Sequence, residues 1–467
     1  MTSNKRAVFW SGIEKVGSYL ANFIIQIILA RLLCPDDYAV VAMLAIFMSV
    51  AQVFIDGGFA TVLIQKKDCS QDDFSSVFYF NIIVSLCVYV LLFILAPHIE
   101  SFYNFSGLGN VLRIYSITLV INSFAMINRL LIIKQLKFNV IAIINVCATI
   151  LSSIPTIYLA ANGASYWALV IQSILNSLII TIGVWTYTKW KPTFRFSFEA
   201  LTRLFPFGIR MFVVDMFYAL YNNLYSLLIG KKFLPEDLGY YDRGKYIGSM
   251  GPIGFSDFFL RAMYPIQSRL QDDSQRLKSS YTTSFHLICL IIIPLSIFIS
   301  VFSVEVLGVL YGKQWVEAND ITSILCIGFM FYPLQALNVN MLKVKAMGNT
   351  LLKSEMLKKI IGLIVLLCLL HYGIYAVVMG WTICAILDFI ISEYYFVKSY
   401  DYSPKKTIII FLKLLTVSVV SACLLKKIFS IFFDSHALIL VTSCLLYVTI
   451  YMIFQGKVLK TVIHNLE

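Results

Sequence analysis

Long apolar stretches separated by short polar punctuation run along nearly the whole chain, and most have the length of a membrane-crossing helix. At roughly 20 apolar residues per span, the pattern predicts helices near 7–30, 38–60, 75–97, 109–131, 139–161, 164–187, 206–230, 241–263, 282–304, 319–341, 354–371, 373–397, 406–425 and 436–455. The first, second and eighth are interrupted by polar groups. The eleventh is short and closes on the turn Leu370-His371-Tyr372-Gly373. The expected fold is an all-α integral membrane protein of about 14 transmembrane helices, because helices satisfy their own backbone groups in lipid.

The second half opens like the first: Ala30-Arg31-Leu32-Leu33-Cys34-Pro35-Asp36-Asp37-Tyr38 against Gly230-Lys231-Lys232-Phe233-Leu234-Pro235-Glu236-Asp237-Leu238. Aligning Pro35 with Pro235 sets the seventh span on the first, both starting on the same side. The halves therefore read as parallel six-helix repeats around a central cavity. The expected organisation is an N-terminal bundle over 1–190, an interfacial cytoplasmic linker over 191–205, a second bundle over 206–400, and two extra helices with a tail over 401–467. Repeated bundles often hold a substrate site near the bilayer midplane, which makes transport the first hypothesis.

Composition agrees: 59% of the 467 residues are hydrophobic and 13% charged, against about 45–50% and 25% in soluble domains. Trp10, Trp167, Trp185, Trp190, Trp315 and Trp381 fall near predicted span ends, where amphipathic rings suit the interface. With the N-terminus inside, Lys and Arg collect mainly in the cytoplasmic loops, so both termini are expected in the cytoplasm of a bacterial inner membrane. The net charge of +12 follows from that bias. No long basic run or soluble domain suggests nucleic acid. The first segment contains Glu14 and Lys15 and runs past Ala30 without a small-residue cleavage pattern, so no signal peptide is expected. Ten scattered cysteines form no CxxC pair and read as small hydrophobes.

Polar residues within spans carry the functional information, since an ionisable group at mid-bilayer costs about 2.5–3.5 kcal/mol on insertion scales. Glu14, Ser18, Asn22 and Gln26 recur every four residues on one face of the first span, with Lys15 beside them. The seventh carries Arg210, Asp215, Asn222 and Ser226. Gln52 and Asp56 lie four apart in the second span, as do Asp257 and Arg261 in the eighth; Arg113, Asn122 and Arg129 punctuate the fourth, and Asp388 and Glu393 the twelfth. Two readings stand for each: cavity lining, or structure. Arg113, Arg129 and Arg261 lie near span ends, where arginine snorkels. The amides Asn22, Gln26, Gln172 and Asn222 also suit helix-to-helix bonding. Lys15 with Glu14 and Arg210 with Asp215 are deeper. No HExxH, GxSxG or Walker sequence occurs, and the five histidines lack metal-ligand spacing. An enzyme is not expected, nor is a bound cofactor or metal.

Leu29-Ala30-Arg31-Leu32-Leu33-Cys34-Pro35-Asp36-Asp37-Tyr38 resembles the opening of bacterial polysaccharide flippases, the Wzx-like branch of the multidrug/oligosaccharidyl-lipid/polysaccharide exporter superfamily. Further matches follow in order: Asp56-Gly57-Gly58-Phe59, Leu63-Ile64-Gln65-Lys66-Lys67, Leu238-Gly239-Tyr240-Tyr241-Asp242-Arg243, Tyr264-Pro265-Ile266-Gln267-Ser268-Arg269-Leu270-Gln271-Asp272-Asp273 and Leu310-Tyr311-Gly312-Lys313-Gln314-Trp315. The chain is most similar to the lipopolysaccharide, colanic-acid and teichuronic-acid subgroup, but Tyr38-Ala39 stands where that subgroup has Phe-Gly.

The resemblance implies movement of polyprenyl-pyrophosphate-linked oligosaccharide to the outer leaflet, for export of O-antigen, capsule or exopolysaccharide. A polysaccharide polymerase and a chain-length regulator are the partners it suggests. Lys15 and Arg210 do not fall in matched elements. Their assignment to pyrophosphate, with Arg113, Arg129 and Arg261 secondary, rests on depth and charge. Asn22, Gln26 and Asn222 are candidate sugar contacts. Glu14, Asp56, Asp215 and Asp388 are candidates for coupling to a proton or sodium gradient. Two alternatives share the many-span pattern: an O-antigen-type polymerase, which usually has a large outer loop, and a drug or metabolite exporter of the same superfamily.

Overall fold

Both halves begin their second helix with the same local device. In the computed structural model, which describes residues 21–66, 68–432 and 435–464, Cys34 is extended, Pro35 opens the helix, and the Asp37 carboxylate accepts the Cys34 N–H at 2.9 Å. Two hundred residues later Pro235 opens a helix and Asp237 accepts the Leu234 N–H at 3.2 Å. Proline fixes the first helical φ, and the aspartate satisfies a backbone donor that the helix leaves free. The sequence repeat is thus a repeated helix start.

The first-half elements are α1 (Ala21–Leu32), α2 (Pro35–Asp56), α3 (Phe59–Gln65), α4 (Gln71–Tyr103), α5 (Leu108–Tyr115), α6 (Ile117–Lys134), α7 (Phe138–Ala161) and α8 (Trp167–Thr188). They are followed by α9 (Phe198–Lys232), α10 (Pro235–Arg269), α11 (Ser274–Val301), α12 (Ser303–Leu310), α13 (Asn319–Phe329), α14 (Tyr332–Val344), α15 (Gly348–Leu369), α16 (Ile374–Tyr400), α17 (Lys405–Phe432) and α18 (His436–His464), with short 3-10 turns at Lys313–Ala318 and Leu370–Tyr372. No strand occurs among the described residues. Every predicted span falls on a helix, the first only over its described part. Among the described residues, ten helical stretches are long and apolar enough to cross a membrane. Charge keeps α10 and α15 below that mark: α10 carries Asp242, Arg243, Lys245, Asp257 and Arg261, and α15 carries Lys353, Glu355, Lys358 and Lys359.

The turns repeat as well. Leu136 and Ala346, at φ 57° and 52°, end α6 and α14 in the left-handed region. In both, the left-handed residue donates to the carbonyl three back (Ile133, Lys343) and the next residue to the carbonyl five back from itself (Ile132, Leu342). This Schellman closure satisfies carbonyls at the helix end.

Two compact units divide between Gly239 and Tyr240. In the first, α9 packs along α2 and α4, and its closest approach explains Asp56-Gly57-Gly58-Phe59. Gly58 has φ 71°, and a Cβ there would stand 2.1 Å from the Gly208 carbonyl oxygen of α9. In the second, α17 and α18 pack against α11. Leu414, Ala422, Leu425, Ile439 and Tyr447 join Tyr281, Phe285, Phe302 and Phe396 in one apolar core.

Trp315 is turned into the protein. It is 0% exposed, with the Tyr240 and Tyr311 rings 6.3 and 5.8 Å away. Gly312, at φ 101°, turns the chain so that the ring enters the core. The Leu-Gly-Tyr-Tyr and Leu-Tyr-Gly-Lys-Gln-Trp elements therefore meet in one buried aromatic cluster.

Candidate functional site

Within the first unit, polar residues at helical spacing on four segments converge on a cavity of about 500 Å³. Ser49 and Gln52 come from α2, Tyr115 from α5, Thr118 and Asn122 from α6, and Ser173, Asn176 and Ser177 from α8; Met48, Val53, Leu119 and Ala219 supply apolar wall. Spacings of three and four put each set on one helix face. The lining named is uncharged, and the Asn176 Oδ1 is buried with no hydrogen-bond donor among the described residues. A pocket of hydroxyls and amides inside apolar helices suits a ligand dense in hydroxyl groups.

One turn beyond Gln52, charge begins. Gln52 Nε2 donates to Asp56 Oδ1 at 2.9 Å, and Arg129 of α6 and Asp215 of α9 are the charged neighbours acting on Asp56. Four residues singled out in sequence, Gln52, Asp56, Arg129 and Asp215, are thus brought together at the edge of the pocket.

The others are dispersed. Asn22, Asn222, Arg210 and Arg261 are exposed on α1, α9, α9 and α10, and Gln26 is half-buried. Glu14 and Lys15 lie outside the described residues. Arg113 is held at the far end of its span: its guanidinium lies 4.7 Å from the Phe93 ring centre and donates to Asn110 Oδ1 at 3.2 Å. It also borders a surface concavity of about 470 Å³. The carboxylate there, Glu100, is occupied in accepting the Gly107 and Gly109 N–H groups at 3.0 and 2.9 Å.

In the second unit Asp388 faces Lys358, Lys359 and Glu355 of α15. Lys358, near the start of the span predicted over 354–371, has a fully buried side chain, with Nζ 2.5 Å from Glu355 Oε1. The i,i+3 pairing inside a predicted span was the available signal. A second polar knot joins three helices: Asn338 Nδ2 donates to Glu393 Oε2 at 2.8 Å and Ser392 Oγ at 3.2 Å, and the Tyr281 hydroxyl lies 2.8 Å from Asn338 Oδ1 and 2.9 Å from Glu393 Oε2. Asn176 and Ser173 also escaped the sequence reading, although Gln172 and Asn176 stand four apart in the sixth span.

Many apolar helices, internal repetition and an open polar pocket on one bundle define a multi-pass helical membrane protein. The family described as "Polysaccharide biosynthesis protein" matches residues 28–320, and the chain belongs to it. It is 25% identical over 279 residues to the teichuronic acid biosynthesis protein TuaB of Bacillus subtilis (strain 168), covering 59% of this chain and 58% of that protein. It is 21% identical over 324 residues to the lipopolysaccharide biosynthesis protein WzxC of Escherichia coli (strain K12), covering 68% and 65%. Those alignments span less than two thirds of either relative. The fold resembles that of the lipid II flippase MurJ in an inward closed conformation, with a TM-score of 0.77 over 96% of this chain and 99% of that one; at 14% identity this shows shared fold.

Proposed function

We propose that this protein is a flippase, carrying polyprenyl-pyrophosphate-linked oligosaccharide from the cytoplasmic to the outer leaflet by alternating access, for export of a surface polysaccharide. The observation that carries the proposal is the open pocket of uncharged polar side chains among the first unit's apolar helices. Each unpaired hydroxyl costs roughly 2–7 kcal/mol to bury in hydrocarbon, so an oligosaccharide cannot cross unaided. A lining of Gln52, Asn122, Asn176 and serine hydroxyls replaces the lost water, while the polyprenyl tail stays in lipid. Family membership and the names of TuaB and WzxC support the substrate class.

In this proposal Arg129, beside Asp56 and Asp215, meets the pyrophosphate at the cytoplasmic end of the pocket, with Arg210 and Lys15 as further cations and Arg261 secondary. The bonds already made by Arg113 favour a structural role. Asn22, Gln26 and Asn222 extend the sugar contacts. Asp56, Asp215, Asp388 and Glu14 exchange a proton or sodium ion as the bundles rock. The protein is a transporter and not an enzyme, placed in the bacterial cytoplasmic membrane with both termini inside, supplying a polymerase and its chain-length regulator. Deleting the gene should leave single repeat units on the cytoplasmic leaflet of membrane vesicles. Normal delivery with altered polymer length would indicate a polymerase; unchanged polysaccharide with drug sensitivity would indicate an exporter.

A further inference from the structure

The connection between α8 and α9 is an extended strap tied down along one edge. Gln71 of α4 donates from Nε2 to the Lys191 carbonyl at 2.8 Å and accepts the Trp190 indole N–H at 2.9 Å. The Thr193 N–H donates to Ser75 Oγ at 3.0 Å, and the Ser197 N–H to Ser76 Oγ at 2.9 Å. Just past the strap, Arg203 pairs with the buried Asp73 at 2.5 Å. The first turn of α4 thus presents a row of side chains that hold a passing backbone.

The Thr193 hydroxyl bonds Asp72 and Ser75 of α4 and the Ser197 N–H bonds Ser76, while Phe194 and Phe196 of the strap and Phe198, the first residue of α9, are 101%, 51% and 71% exposed. Three adjacent phenylalanines turned outward by a polar seam form an unpartnered apolar row. The end of α8 and the beginnings of α4 and α9 meet at this strap, and all three are apolar helices long enough to cross a membrane. That places the row at the membrane surface. The neighbouring cations Lys189, Lys191 and Arg195 suit phosphate headgroups.

We infer that residues 190–198 form an interfacial lipid anchor, in which the Phe194, Phe196 and Phe198 rings enter the boundary between headgroups and acyl chains and the Thr193–Ser197 edge fixes the span ends at that depth. This assignment stands whether or not the cargo is a lipid-linked oligosaccharide. An amphipathic segment with aromatics on one side and cations beside them is the composition that settles there.

The test is site-specific photocrosslinking of the full-length protein in phosphatidylglycerol–phosphatidylethanolamine liposomes. p-Benzoylphenylalanine would be placed singly at 193, 194 and 196 and the adducts read by mass spectrometry. Phospholipid adducts at 194 and 196, several-fold above those at 193, with position 193 crosslinking to α4, are expected. Absence of lipid adducts at 194 and 196 while 193 still crosslinks to α4 would overturn the inference. So would capture of another protein at those positions in native membranes in place of lipid.

Discussion

At the scale of single residues, stability and function separate in opposite directions. Among the described residues Asn176 Oδ1 has no hydrogen-bond donor in its buried position, a cost that a binding site tolerates because the ligand supplies the partner. Asn176→Leu should leave thermal stability in detergent unchanged or raised, while lowering polymer export. The loss of about 1 kcal/mol of hydrogen bonding corresponds to roughly fivefold weaker cargo binding. A fall in melting temperature with unchanged export would make Asn176 structural. Gly58 is the reverse case. Its left-handed backbone alone disfavours a side chain by about 1–2 kcal/mol, and the approach to Gly208 adds a clash. Gly58→Ala should therefore lower both melting temperature and protein level; a variant as stable as the parent would show that α9 does not pack there.

At the scale of elements, the motifs that carry the family resemblance prove to be devices of folding. Pro35 with Asp37 and Pro235 with Asp237 start helices. Asp273 begins α11 by accepting the Arg276 N–H at 3.0 Å, and Gln267 accepts from Asn340 at 2.8 Å in the core. Such residues are legible in sequence because caps and turns need particular side chains at fixed offsets. The left-handed closures at Leu136 and Ala346 were not legible, since neither is glycine. Ala346→Gly removes that strain at an exposed position, at the cost of glycine's extra unfolded-state freedom. The net expectation is stabilisation of up to about 1 kcal/mol, measured as a higher midpoint of thermal unfolding in detergent. A lower midpoint would show that the turn is not left-handed.

At the scale of the whole molecule, apolar periodicity located the helices because length and hydropathy are set by the bilayer. Which polar side chains share a cavity was harder to read. Helical spacing puts residues on a common face but does not say which neighbour that face meets. Gln52, Asp56, Arg129 and Asp215 come from three helices far apart in sequence, and only packing of α2 against α6 and α9 unites them. The burial of Lys358 was hard to read for the same reason: it depends on Glu355 and on the neighbouring helix that carries Asp388.

The central claim is that the first unit's pocket carries sugar across the membrane. The most direct measurement is transfer of a lipid-linked oligosaccharide between leaflets of liposomes containing the purified protein, compared with the Gln52→Leu/Asn176→Leu variant at equal protein content. Transfer by the parent that slows markedly in the variant is the expected result. Equal transfer by both proteins, or no acceleration over protein-free liposomes, would contradict it.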